Sequence, residues 1–217
     1  MKHLKLAVLL SGSGRTLQNF FDQIDAGKLD AEVVAVGASR ADAYGLERAR
    51  QRGVPTFVVP SRKHKDIARF SRAVFQQLAA YDFDLLLLAG FMCLITIPPE
   101  LEGRAMNIHP ALIPAFCGKG YYGHHVHEAV LHSGARISGC TVHFVDNVYD
   151  HGPIIVQKAA EVLDGDTADT LAARVFEKEL EAYPEAIRLF GEGRLRIEGR
   201  RVRVLPAPPH PGDRGAI

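Results

Sequence analysis

The sequence predicts a single α/β domain, with a mostly parallel central sheet, helices on both faces and antiparallel strands in the C-terminal half. Three observations predict it. Short apolar runs alternate with helical patterns through the first half, as parallel strands covered on both faces require. A glycine-rich turn, Ser11-Gly12-Ser13-Gly14, follows the first of these runs. Two longer β-type runs then stand close together in the second half, a return that suits antiparallel pairing.

Taken in order, Leu4–Leu10 is an apolar strand, and residues 16–26 read as a helix stopped at Gly27. Val33–Val36 is a second strand, Ala41–Arg52 a helix ended by Gly53, and Thr56–Val59 a short strand. Lys65–Tyr81 fits a helix, and Leu85–Ala89 a fully buried strand. Arg104–Ile108 is predicted as a strand that ends in an Asn-Ile-His-Pro turn, and Val126–His132 as a helix closed by Gly134. Ile137–Val145 and Ile154–Leu163 are the two close strands. Asp166–Phe190 is helical, with a bend or interruption expected at Pro184. Arg194–Arg203 alternates around Gly199 and predicts a terminal hairpin. Residues 1–204 are read as one domain, and 205–217, rich in Pro and Gly, as a loosely held tail.

Composition narrows the function. The chain has 217 residues, 47% of them hydrophobic, enough for one substantial core. It carries 26 basic and 25 acidic residues with no long block of either sign, which argues against nucleic acid as a partner. No run is long enough for a membrane span, and the apolar N-terminal run stops too early for a signal peptide. Cys93, Cys117 and Cys140 form no Cys-x-x-Cys pair, and an odd number cannot close a disulfide framework. Reduced thiols and a cytoplasmic location are therefore expected.

The glycine turn lies between a strand and a helix. Its backbone N–H groups at the helix start suit a phosphate, although a plain tight turn has the same sequence. It lacks the Gly-Lys-Ser/Thr of a nucleoside-triphosphate loop, and Leu17 stands where a dinucleotide fingerprint has its third glycine.

Met106-Asn107-Ile108-His109-Pro110 and the later Asp150 supply an amide donor, an imidazole and a carboxylate. Asn107 and His109 are two apart, so both side chains share a face if the backbone is extended, a form that Pro110 favours for its predecessor. An amide N–H can meet a developing oxyanion, and histidine can transfer a proton near neutral pH. A turn asparagine, a turn histidine and a loop acid before Gly152 are the plain alternative. Glu179 falls within the apolar stripe Ala172, Val175, Phe176, Tyr183 and Ile187, where a carboxylate is costly unless paired; a glutamate at the stripe's edge reaching solvent is the alternative there. His124, His125 and His127 at a helix start do not put three imidazoles on one face, and no metal is expected. The loop from Phe116 to Gly123 is glycine-rich and follows the Asn-Ile-His-Pro turn. It reads equally as a lid, with Lys119 meeting an anion, or as a mobile surface loop.

Ser11-Gly12-Ser13-Gly14, Leu88-Ala89-Gly90-Phe91-Met92, Asn107-Ile108-His109-Pro110 with Ala111-Leu112-Ile113-Pro114, and Gly139 to Val145 followed by Asp150-His151-Gly152-Pro153 occur in that order. Over about residues 5–195 the chain resembles the folate-dependent formyltransferases, and within them the glycinamide-ribonucleotide branch. The resemblance implies a single-domain Rossmann-like formyltransferase fold. It also implies formyl transfer from 10-formyltetrahydrofolate, as cosubstrate, to the amine of 5-phosphoribosylglycinamide in purine synthesis. Carried over residue by residue, it makes Asn107, His109 and Asp150 catalytic and His143 a supporting residue. Gly14, Arg15, Thr16 and Glu179 would bind the substrate. Met92, Cys93, Leu94 and Ile95, with Asn107, would line the folate pocket.

The chain departs from the pattern in three places. Cys93 stands where relatives often have Arg, Asn147 where they often have an acid, and the 116–123 loop is longer than in shorter members. A formyltetrahydrofolate hydrolase is the nearest alternative, although such relatives usually carry an added N-terminal domain. Sugar and methionyl-tRNA formyltransferases usually carry an added C-terminal one, for which this length leaves no room. A nonenzymatic folate- or nucleotide-binding protein and a nicotinamide oxidoreductase are the alternatives from other classes. A monomer or homodimer is expected.

Overall fold

The structure is a computed structural model in which residues 2–207 are described. One nine-stranded sheet runs through it. The elements are β1 (Leu4–Leu10), α1 (Arg15–Asp25), β2 (Ala31–Ala38), α2 (Gly45–Gln51), β3 (Thr56–Val58), α3 (Ile67–Leu78), β4 (Leu85–Leu88), β5 (Ala105–His109), α4 (His124–Ser133), β6 (Ile137–Phe144), β7 (Ile154–Glu161), α5 (Ala168–Gly191), β8 (Leu195–Glu198) and β9 (Arg201–Val204). The strand order is β3-β2-β1-β4-β5-β6-β7-β9-β8. The strands from β3 to β5 pair in parallel, whereas β6 pairs antiparallel with both β5 and β7. Strands β8 and β9 form the expected terminal hairpin.

The apolar runs are continuous because alternate residues serve two cores. Leu4, Leu6, Val8 and Leu10 of β1 pack with α1 and α5, while Ala7 and Leu9 pack with α3 on the other face. Leu85 and Leu87 of β4 join the first core, and Leu86 and Leu88 the second. Strand order reverses between β1 and β4, and crevices beyond the carboxyl ends of strands at such a reversal are where α/β proteins take their ligands. The glycine turn is fastened there, with Ser11 N donating to Gly90 O at 3.0 Å.

Three expectations are corrected. The helix placed at Ala41–Arg52 begins only at Gly45, because Gly45 packs onto the turn: its N–H donates to Gly12 O at 3.1 Å, and a Cβ on it would lie 2.4 Å from a Leu10 methyl. Strand β5 continues through His109, one residue past its expected end. The last helix is not interrupted at Pro184 and runs from Ala168 to Gly191. Of the tail expected at 205–217, residues 208–217 lie outside the described residues. No helix among the described residues is long and apolar enough to cross a membrane.

Candidate active site

Asn107 and His109 sit inside β5 rather than after it, so their spacing of two puts both on one face of the strand. Both line a cavity of ≈ 540 Å³, with Asp150 and Glu179 on the same wall system and Thr16 reaching it from the first turn of α1. The residues proposed from sequence as catalytic therefore converge. Their geometry adds detail. Asp150 Oδ2 lies 3.5 Å from His109 Nδ1 and accepts from Gly118 N at 2.9 Å. Asp150 Oδ1 lies 3.4 Å from Asn107 Nδ2. His109 Nε2 donates to Phe116 O at 2.8 Å, so each ring nitrogen faces an oxygen atom. Asp150 itself adopts φ 49°, a strained backbone of the kind that gathers at functional loops.

The turn after His109 is braced by a buried hydroxyl. Thr141, opposite His109 in the sheet, donates from Oγ1 to Ala111 O at 2.7 Å and accepts from Ile113 N at 3.1 Å. His143 stands opposite Asn107 and bonds its side chain at 3.1 Å.

At the glycine turn, Gly14 caps α1 with φ 70°, and a Cβ there would lie 2.5 Å from Gly45 Cα. Conformation and close approach both require glycine. No side chain among the described residues caps α1, so the N–H groups of its first turn keep their capacity for an anion. The Arg15 guanidinium stacks over Phe176, 3.8 Å from the ring centroid.

Glu179 lies on α5 in register with buried Val175 and Tyr183, but its carboxyl opens into the cavity, where it has no hydrogen-bond partner among the described residues. Burial pushes it up to about 7, against the nearby Arg15, which pulls it down.

The Met92–Ile95 segment lies in the chain that follows β4. It divides. Met92 lines the large cavity, whereas Cys93, Leu94 and Ile95 line a smaller one of ≈ 60 Å³ that shares Asn107 and Asp150 with it. Ile95 is also a core residue, 2% exposed. Asn147 ties its loop to the chain after this segment. Its Oδ1 accepts from Ile97 N at 2.8 Å, a bond that an acid there would also make. The longer loop forms cavity wall from Gly118 to Gly123, with Lys119 among its residues.

The three clustered histidines part company. His124 pairs with Asp169 and His125 with Glu128, each at 3.2 Å, while His127 turns inward.

Sequence reasoning missed two kinds of contributor. The Phe116 carbonyl and Gly118 N–H act through the main chain, which leaves no residue signature. Tyr121, Tyr122 and Tyr149 line the cavity and are exposed; aromatic side chains in loops beside a candidate site were the signal available for them.

A profile of the formyl transferase family matches residues 4–187. The chain is 41% identical over 214 residues to the chloroplastic phosphoribosylglycinamide formyltransferase of Arabidopsis thaliana, covering 96% of this chain and 73% of that one. It is 36% identical over 196 residues to the phosphoribosylglycinamide formyltransferase of Escherichia coli (strain K12), covering 89% and 90%. The solved structure of glycinamide ribonucleotide transformylase 1 from Symbiobacterium toebii superposes with a TM-score of 0.87 at 45% identity, over 95% of this chain and 96% of that one. The chain belongs to the formyl transferase family.

Proposed function

We propose that the protein is a phosphoribosylglycinamide formyltransferase, moving the formyl group of 10-formyltetrahydrofolate onto the amine of 5-phosphoribosylglycinamide in purine biosynthesis. The products are formylglycinamide ribonucleotide and tetrahydrofolate. The observation that carries the reading is the convergence of Asn107, His109 and Asp150 on one cavity that Thr16, in the first turn of α1, also lines.

The substrate amine attacks the formyl carbon, and the bond from that carbon to the folate nitrogen breaks as the tetrahedral intermediate collapses. Asn107 and His109 each hold one N–H that meets Asp150 only at 3.4 and 3.5 Å, longer than a full hydrogen bond. These are the donors left for the developing oxyanion. Asp150 supports the charged imidazole and, through water, helps carry the proton from the amine to the folate nitrogen. Gly14, Arg15 and Thr16 hold the phosphate at the start of α1, and Glu179 receives the glycinamide end. Met92, Cys93, Leu94, Ile95 and Asn107 border the folate, and His143 supports the catalytic residues. The mechanism draws on protein donors alone and asks for no metal. We place the reaction in the cytoplasm, where Cys93, Cys117 and Cys140 stay as free thiols.

The test is a spectrophotometric assay with 10-formyl folate, run with phosphoribosylglycinamide and again without it. Folate release only in the presence of the amine is expected. Release without it would make the protein a hydrolase, and no release with folate still bound would make it a binding protein or a transferase to another acceptor.

A further inference from the structure

Asn107 can serve an oxyanion only if its NH2 group, not its carbonyl, faces the reacting atoms. An amide in a cavity can turn over at little energetic expense, so something must fix it. The sheet supplies the candidate. Antiparallel pairing of β5 with β6 sets His143 directly beside Asn107, and His143 is 2% exposed.

The ring is held at both nitrogens. Nδ1 lies 2.8 Å from Phe144 O, and Nε2 lies 3.1 Å from Asn107 Nδ2. A carbonyl oxygen only accepts, so Nδ1 must carry the hydrogen. In the neutral ring Nε2 then has a lone pair and can only accept. Asn107 must meet it with an N–H, which places the amide oxygen on the other side. The second N–H of the planar NH2 group then points toward Asp150 Oδ1, at 3.4 Å, on the cavity side.

We propose that His143 is a positioning residue, which as its Nδ1-protonated neutral tautomer dictates the orientation of the Asn107 amide and so aims its free N–H at the reacting oxygen. The inference rests on the formyl-transfer reading given above. Burial holds the ring neutral by pulling its pKa below the usual histidine value, assisted by His109; the Phe144 carbonyl, Asp150 and Asp146 pull the other way. Gly152 belongs to the same arrangement. A Cβ on it would lie 1.8 Å from Phe144 O, so the chain packs directly against the carbonyl that fixes the tautomer.

Two side chains separate the ring nitrogens experimentally. Glutamine places a polar atom near the position of Nε2, and asparagine near that of Nδ1. His143→Phe and His143→Asn, which both leave Asn107 without its acceptor, are expected to lower kcat about 30-fold, less than outright loss of an oxyanion donor. KM for either substrate should stay within about 3-fold, because the lost interaction acts in the transition state. His143→Gln should recover kcat to within about 5-fold of the parent. Equal impairment of the Gln and Phe variants would overturn the proposal.

Nitrogen-15 NMR of the labelled parent protein without substrates gives a readout that needs no variant to fold and no turnover. The Nδ1-protonated tautomer at about pH 7.5 is expected. An Nε2-protonated ring or an imidazolium would overturn the inference. Failure of the parent to transfer formyl groups would instead defeat the functional reading, and the tautomer measurement would still decide the orientation of Asn107.

Discussion

Asn19 on α1 supplies the hydrogen bond that Pro184 removes from α5. Proline has no N–H, so the carbonyl four residues earlier, that of Leu180, loses its partner within the helix. Asn19 Nδ2 donates to that oxygen at 3.0 Å. This is why the helix passes through Pro184 unbroken, and why a polar residue sits buried at the interface of α1 with α5. Asn19→Ala is expected to lower stability by about 1–2 kcal/mol, since it strands a carbonyl. In a Pro184→Ala background the restored N–H takes the carbonyl, and the same change should cost less than about 0.5 kcal/mol. A double-mutant cycle by urea unfolding measures the difference; additive effects would refute the compensation.

His109→Ala and Asp150→Asn should each reduce kcat by about 10²–10⁴-fold, while binding of either substrate changes by less than about 3-fold. Single-turnover kinetics with parallel binding titrations distinguish the two effects. Near-normal turnover in a folded variant removes that residue from the mechanism.

Glu179 makes stability depend on pH in an uncommon direction for a carboxyl group. Its folded pKa, about 7, stands above the ordinary 4.5. The folded state binds the extra proton between those values, so the contribution is complete below about pH 4.5 and is lost as pH rises through 7. Glu179→Gln should match the parent at about pH 5 and exceed it at about pH 8 by on the order of 1–2 kcal/mol, a figure reduced because the carboxyl borders an open cavity. Denaturant unfolding at the two pH values is the measurement, and an unchanged gap would contradict the shift.

His127 works in the opposite sense. It is 4% exposed with its Nδ1 unpartnered among the described residues, and burial, reinforced by His124 and His109, lowers its pKa from 6.5 to about 4. The unfolded chain takes up the proton first, so stability is complete above about pH 6.5 and is lost as pH falls through 4. His127→Phe should flatten this acid limb by on the order of 2 kcal/mol. Thermal unfolding from about pH 7 down to about pH 4 reads it, and a parallel decline in both proteins would rule the residue out.

The parts legible in the sequence are those whose signal is local. Strand β1 was readable to the residue because its apolar run serves two cores and ends at a glycine turn. The antiparallel return of β6 and β7 followed from the short loop between them. The start of α2 was not legible, because the contact of Gly45 with the glycine turn overrides the helical composition before it. Continuity of α5 at Pro184 depends on Asn19, 161 positions away from the carbonyl it satisfies. At the site, Asn107, His109, Asp150 and Glu179 were readable as residue types, and folding brings all four to one cavity. The division of the Met92–Ile95 segment was not, since nothing in its composition distinguishes a cavity wall from a core.

His109 and Asp150 are both fastened by the main chain of one short stretch, through the Phe116 carbonyl and the Gly118 N–H. Main-chain anchors carry no side-chain identity. The stretch can therefore accept changes of residue, and the loop beyond it changes of length, while imidazole and carboxylate keep their positions. The chief restriction falls on position 118, where proline would delete the donor and a side chain would resist φ 92°. Substitutions in this loop are thus compatible with an unchanged chemistry, and a comparison of side chains alone would overlook the atoms that hold the site together.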